Sequence, residues 1–138
     1  MKTFYRCVVK LYEILYRLSG GLIGGRIVGL PVLLLTTTGR KSGKQRTRPL
    51  CYFPNGDDYV IIASNGGSDS HPSWYHNIKA NPSVSMLLKR TTVAAVGSDV
   101  PEPERGKLWA HLLELSPWYL RYERKTARVI PMVRLRAQ

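Results

Sequence analysis

At 138 residues the chain has room for one domain with one real core and hardly for two. Its formal net charge of +12 is unevenly placed: residues 1–30 carry +4, residues 31–50 carry +5, residues 51–100 carry −1 and residues 101–138 carry +4. Such a balance favours anionic partners such as nucleic acid, anionic lipid or a phosphorylated or polycarboxylate cofactor, and the widely separated Cys7 and Cys51 read as reduced thiols of a cytoplasmic protein rather than a disulfide framework.

The first predicted element is a basic amphipathic helix. Phe4, Val8, Leu11, Tyr12, Leu15 and Leu18 fall on one helical stripe. Lys2, Arg6, Lys10, Glu13 and Arg17 interrupt any apolar span, so neither a transmembrane helix nor a signal-peptide core is present there. Two readings stay open for residues 1–19: the helix lies on an anionic membrane surface, peripherally on its inner face, or it packs on its own domain. Five glycines between Gly20 and Gly29 form a hinge. The expected organisation is therefore helix and hinge over residues 1–30, then a domain over residues 31–138.

Residues 32–38 read as a strand and residues 45–53 as its hairpin partner across a glycine-bracketed turn. The Pro54-Asn55-Gly56-Asp57 turn leads into a third strand over residues 59–64. A Gly/Ser/Asp loop follows, and Pro72 suits the first position of a short helix reaching Ala80, which Asn81-Pro82 ends. Two more strands are predicted over residues 84–88 and 91–96, helices over 102–115 and 118–125, and a closing strand over 129–133. Six short strands with helical inserts predict an α+β fold built on a small closed or split antiparallel β-barrel. The first three strands are joined by connections too short for parallel crossovers.

The most informative motif is the turn after the first strand. Arg40, Lys41, Lys44, Arg46 and Arg48 follow Gly39 with no acid among them. Backbone N–H groups around Gly39 and Gly43, the Ser42 hydroxyl and these side chains make a cage for a multiply charged anion; the plainer alternative is a basic surface loop. It is not a nucleotide-hydrolysing phosphate loop, because only three residues separate Gly39 from Gly43 and Gln45 follows Lys44 where Ser or Thr is needed.

His71, His76 and His111 match no metal-ligand spacing, and no metal is expected. No Gly-x-Ser-x-Gly occurs and neither cysteine has a local histidine, so nucleophilic catalysis lacks its groups. Hydride transfer from a bound cofactor suits a chain so poor in acids and bases. Basic residues among aromatics also describe nucleic-acid binders, but no reader motif is present and the cluster is one turn rather than a stripe, so no nucleic acid is expected. Trp74-Tyr75-His76-Asn77 either anchors the core or offers helix N–H groups and Asn77 to an anion or a polar ring edge. Tyr119 and Tyr122, three apart on one helical face beside Trp118, are either core or the wall of a site for a flat ligand.

Taken together, three segments resemble the deazaflavin-dependent nitroreductase family, small split-barrel proteins related to flavin-binding oxidoreductases. They are residues 34–43 with Arg46 and Pro49-Leu50, then Ala63-Ser64, then residues 74–82; a weaker match covers residues 117–131. The resemblance implies coenzyme F420, a 5-deazaflavin with a phosphodiester and a polyglutamate tail. In the family's manner Arg40, Lys41, Ser42, Gly43, Lys44 and Arg46 hold the phosphate side, Pro49, Ile62, Ala63 and Ser64 line the ring, and Ser73, Trp74 and Asn77 close over it. Ser64 then orients the ring or the substrate, while Tyr119 and Tyr122 wall the pocket and donate a hydrogen bond or proton. The reaction implied is two-electron reduction of a flat electrophile: a quinone, a nitroaromatic or an activated enone. Cys51 and Lys125 stand where relatives can carry aromatics. The alternatives are an enzyme of the same fold using flavin mononucleotide, a non-catalytic coenzyme carrier, and a membrane-associated basic binding module.

Overall fold

A strand with almost no polar side chain needs cover on both faces, and residues 30–35 are apolar without exception. In the computed structural model, which describes residues 2–138, this segment is the centre of the fold. It forms β2 (Leu30–Thr38), followed by β3 (Gln45–Asn55), β4 (Asp58–Ile62), β5 (Ser83–Leu88), β6 (Thr91–Asp99) and β7 (Met132–Ala137), with a two-residue β1 (Arg26–Ile27) ahead of it. The helices are α1 (Lys2–Ser19), α2 (Ser73–Ala80), α3 (Glu104–Leu115) and α4 (Tyr119–Lys125). The strands run in the order β2-β3-β4-β7-β6-β5, and β5 pairs back onto β2 to close an antiparallel six-stranded barrel with β1 outside it. The closing register sets Leu35 opposite Met86.

Side chains of one parity fill the lumen: Leu33 and Leu35, Ile61, Val84 and Met86, Ala95, Val133 and Leu135, with Trp74 and Ile78 of α2 in the same cluster. The alternate residues of β2, Val32 and Leu34, face outward beneath Tyr16 of α1. The outward residues Phe53, Val60, Ile62 and Met132 pack under Leu108, Trp109 and Leu112 of α3 and Tyr119 of α4. Each face of the apolar run thus has its own cover.

α1 is seated through Val9, Glu13 and Tyr16, which are buried; of the stripe picked out by periodicity Tyr12 packs beside them, whereas the rest is turned to solvent, Phe4 being 74% and Leu18 77% exposed. Apolar residues stand on more than one face of the helix, and the fully buried Tyr16 marks the face that docks. Its hydroxyl donates to the Val32 carbonyl at 2.9 Å and accepts from the Lys89 backbone N–H at 2.8 Å.

Several strand bounds differ from the sequence reading: β3 runs on through Pro54 and Asn55 of the expected turn, β6 runs on to Asp99, and the third and last predicted strands shift as well. The last begins at Met132 rather than 129, because Pro131 has no N–H to give a ladder and Val129 is 65% exposed; Met132, Val133 and Leu135 are the buried positions while Arg134 and Arg136 point outward to Asp58. The third stops at Ile62, after which Ala63 leaves the ladder and its N–H bonds to the Pro131 carbonyl at 3.0 Å. Pro72 caps α2 from outside rather than opening it.

Tyr16→Phe strips two backbone groups of their partner without changing shape. We expect a loss of about 1–3 kcal/mol, read as a fall of several degrees in thermal midpoint. An unchanged midpoint would show that this hydroxyl does not fasten α1 to the barrel.

Candidate active site

Two adjoining cavities lie where β3, α2 and the loop after β4 meet. The first, of about 560 Å³, is bounded by Pro49, Leu50 and Cys51 of β3, Ile62 and the Ser64–Gly66 segment, and Tyr119 and Tyr122 of α4. The second, of about 340 Å³, is lined by Arg6, Arg40, Lys41, Ser42, Arg46, Arg48 and Asn77. Arg48, Ser73 and Trp74 line both. The first side carries aromatic and apolar side chains among polar ones, the other is cationic, and they adjoin through three shared side chains.

The basic wall is built by its backbone. Gly39 N–H donates to the Lys44 carbonyl and Gly43 N–H returns to the Gly39 carbonyl, each at 2.8 Å, and Gly43 takes φ +72°, where a side chain would be strained. Asn77 then fixes the turn to α2. Its Oδ1 accepts from the Arg40 backbone N–H at 3.1 Å and from Arg40 Nη1 at 3.0 Å, while Nδ2 donates to the buried Thr37 hydroxyl at 3.1 Å. Among the described residues, none of the five cations on this cavity has a carboxylate within 4 Å, whereas Lys10, Arg17, Lys79, Arg105, Arg134 and Arg136 each have one. Positive charge gathered without neutralisation is the signature of a site for an anion.

On the aromatic side, burial pushes the Tyr119 hydroxyl far above the ordinary phenol range, reinforced by Cys51 beside it. Burial likewise raises the Cys51 thiol, against a smaller opposing effect of its hydrogen bond with Tyr119. Both groups stay protonated at neutral pH, so Cys51 is no nucleophile and Tyr119 is a hydrogen-bond donor. Trp118 Nε1 donates to the Tyr122 oxygen at 2.9 Å, which leaves the Tyr122 proton free to point elsewhere. The Tyr119 and Tyr122 rings meet edge to face with centroids 5.5 Å apart.

Of the residues expected from sequence, Pro49, Ile62, Ser64, Tyr119 and Tyr122 line the first cavity, Arg40, Lys41, Ser42, Arg46 and Asn77 the second, and Ser73 and Trp74 both. Gly43, Lys44 and Ala63 line neither; Ala63 is fully buried in the lumen cluster. Arg48, one of the cations of the expected cage, lines both cavities, whereas sequence reasoning did not place Tyr5 or Arg6 at the site. Those two carried no signal, because only the docking of α1 brings them there.

A cavity of apolar and aromatic character joined to unneutralised cations fits a flat ring carrying a polyanionic tail, which is the make-up of the deazaflavin coenzyme. Asn77→Ala should leave the Arg40 N–H and the Thr37 hydroxyl without partners and release the basic turn. The expected result is a loss of about 1–3 kcal/mol in urea unfolding; unaltered stability would mean that Asn77 does not hold the turn.

Comparison with known proteins agrees with this chemistry. The profile of the F420H(2)-dependent quinone reductase family matches residues 7–136. An F420H(2)-dependent quinone reductase of Mycobacterium tuberculosis is 42% identical over 130 residues, covering 91% of this chain and 87% of its own. A second protein of that organism, described as a putative F420H(2)-dependent quinone reductase, is 32% identical over 110 residues, covering 78% of this chain and 90% of its own. The solved structure of an F420-H2 dependent reductase superimposes with a TM-score of 0.69 at 40% identity, covering 76% of this chain and 93% of that one. On fold, cavity and sequence together, the chain belongs to the F420H(2)-dependent quinone reductase family.

Proposed function

We propose that this F420H2-dependent oxidoreductase reduces a quinone in the first cavity while the coenzyme's tail is held in the second. The observation that carries the reading is the set of five unneutralised cations adjoining a ring-sized cavity with aromatic walls. When bound, the reduced deazaflavin supplies a hydride from carbon 5. The residues of the chain do the rest. Arg40, Lys41 and Arg46, with Ser42 and the Arg48 and Arg6 guanidiniums, neutralise phosphate and carboxylate. Pro49, Ile62 and Trp74 wall the ring and keep water from it. The Ser64 hydroxyl orients the ring or the acceptor. Tyr119, held protonated by burial, and Tyr122, its proton freed by Trp118, donate to the acceptor's oxygen as negative charge grows there.

The reading predicts that reduced coenzyme F420 is oxidised by menadione in the presence of the protein with no metal added. Of Arg40→Ala, Lys41→Ala and Arg46→Ala, at least one should weaken coenzyme binding about thirtyfold or more, since truncating one partner of a desolvated charge pair costs on the order of 2–5 kcal/mol. Tight binding with no turnover of quinone, enone or nitroaromatic would instead identify a coenzyme carrier. Three variants that all bind like the parent would make the turn a solvated loop.

The exposed stripe of α1 supports a second, finer reading: peripheral attachment to an anionic bilayer, where apolar quinones reside. Phe4, Leu11 and Leu18 on the helix and Leu22 and Ile23 beyond it are exposed together, and Lys10, Arg17, Lys89 and Arg90 stand nearby. No described helix is long and apolar enough to cross a membrane. Binding to phosphatidylglycerol vesicles is expected, weakening with salt as the screening length shortens to about 8 Å at physiological ionic strength. Leu11→Glu with Leu15→Glu should abolish it; retention by that variant, or indifference of the parent to vesicles, would leave α1 as a packing element alone.

A further inference from the structure

Arg128 lies outside both cavities, in the segment between α4 and β7, yet its guanidinium holds one wall of the first. Nη2 donates to the carbonyls of Ala63 at 3.2 Å and Ser64 at 2.9 Å, and Nε to the carbonyl of Ser68 at 2.9 Å. Nη1 meets His71 Nδ1 at 3.0 Å. All four partners belong to the stretch that leaves β4 and carries Ser64, Asn65 and Gly66 along the cavity. Two neighbours fasten the same stretch to the same place: Thr126 Oγ1 donates to Asp69 at 2.9 Å, and Lys125 Nζ reaches the Gly66 carbonyl at 3.4 Å. The facing wall, Tyr119 and Tyr122, sits on the helix that ends at Lys125. The guanidinium therefore fixes the spacing of the two walls between which a flat ring must fit.

We propose that Arg128 is a positioning residue for the ring cavity and that His71, as its neutral acceptor, makes the cavity's geometry depend on pH. The proposal rests on the first cavity being the ring site. His71 Nδ1 accepts a hydrogen bond only while unprotonated, with the proton on Nε2. Once protonated, an imidazolium faces a guanidinium at contact distance and the bond becomes a repulsion. The charged and titratable groups around His71 are Arg128, then Tyr75 and His76 of α2 with ring centroids at 4.9 and 5.8 Å, and Asp99 of β6, which is itself engaged by the Tyr75 hydroxyl and Lys79. Burial, the Arg128 charge and His76 all hold the His71 pKa below the ordinary histidine value, and Asp99 alone opposes them. The neutral form is thus secure at neutrality. As pH falls through the depressed pKa the contribution of this contact is lost and the Ser64–Gly66 wall is released.

The test uses two readouts that do not need turnover: the dissociation constant of oxidised coenzyme F420 from its fluorescence, and amide hydrogen exchange across residues 64–71, both from about pH 8 to about pH 5. His71→Gln keeps an acceptor that cannot titrate, so its ratio to the parent cancels any titration of the coenzyme itself. Toward acid the parent should lose at least about threefold more affinity than His71→Gln, and exchange at residues 64–68 should quicken only in the parent. At about pH 7.5, Arg128→Ala should bind at least about tenfold more weakly, and Arg128→Lys should recover part of that loss by keeping a donor for the carbonyls. Identical pH responses of parent and His71→Gln, or parental affinity in Arg128→Ala, would overturn the proposal. Should Arg128→Ala fail to fold, Arg128→Lys and His71→Gln decide it. A parent that does not bind the coenzyme at any pH would instead refute the reading of the cavity.

Discussion

Like charges gathered around one small cavity repel each other, and this fold holds them there by fastening backbone rather than by neutralising side chains. The turn between β2 and β3 closes on itself through the Gly39, Gly43 and Lys44 backbone, and Asn77 pins its first residue to α2. Pairing of β3 with β2 holds Arg46 and Arg48, and these ties hold Arg40 and Lys41 beside them, although among the described residues no carboxylate comes to any of the four. Carboxylates are used elsewhere: Asp58 bonds Arg136 at 3.0 Å through both its oxygens, which draws its own pKa down. The contrast separates charges that stabilise the folded chain from charges kept in reserve for a ligand. It also means that ligand binding must relieve the repulsion, so that the coenzyme contributes to stability by mass action as well as to chemistry.

The same strand serves both halves of the site. β3 lends Arg46 and Arg48 to the second cavity and Arg48, Pro49, Leu50 and Cys51 to the first, so the spacing between the cationic and the aromatic walls follows the strand rise of about 3.3 Å per residue. α2 closes the arrangement from above the lumen, where Trp74 and Ile78 are buried while Ser73 and Asn77 look into the cavities. A rigid barrel with two short helices is sufficient scaffolding for hydride transfer, which requires alignment and dryness more than strong acids.

Much of this was legible in the chain. The basic turn, the strands beside it and the Trp74–Asn77 helix announce themselves locally, by charge density, glycine placement and apolar runs. What was not legible depends on packing between distant segments. The α1 stripe of Phe4, Leu11 and Leu18 is the more apolar face by periodicity, yet Tyr16 seats the helix by a different face, because one buried hydroxyl can satisfy two backbone groups at once. That docking brings Tyr5 and Arg6 to the cavities, and no local pattern could have announced it. Ala63 was grouped with Ser64 through the family's pattern, but the chain leaves the strand after Ile62, with Ala63 buried in the lumen and Ser64 turned to the cavity. Val129 reads as strand by composition until Pro131, two residues later, denies the ladder its donor.

The proposal at the centre is that the five cations of the second cavity hold the coenzyme's negatively charged tail. The direct measurement is the affinity of the protein for coenzyme F420 set against its affinity for the same deazaflavin chromophore stripped of phosphate and glutamates, at one fixed ionic strength. Losing the partners of several partly desolvated cations at once should weaken binding by about a hundredfold or more. Equal affinity for the two molecules would contradict the account, because it would leave the five cations of the second cavity without a ligand.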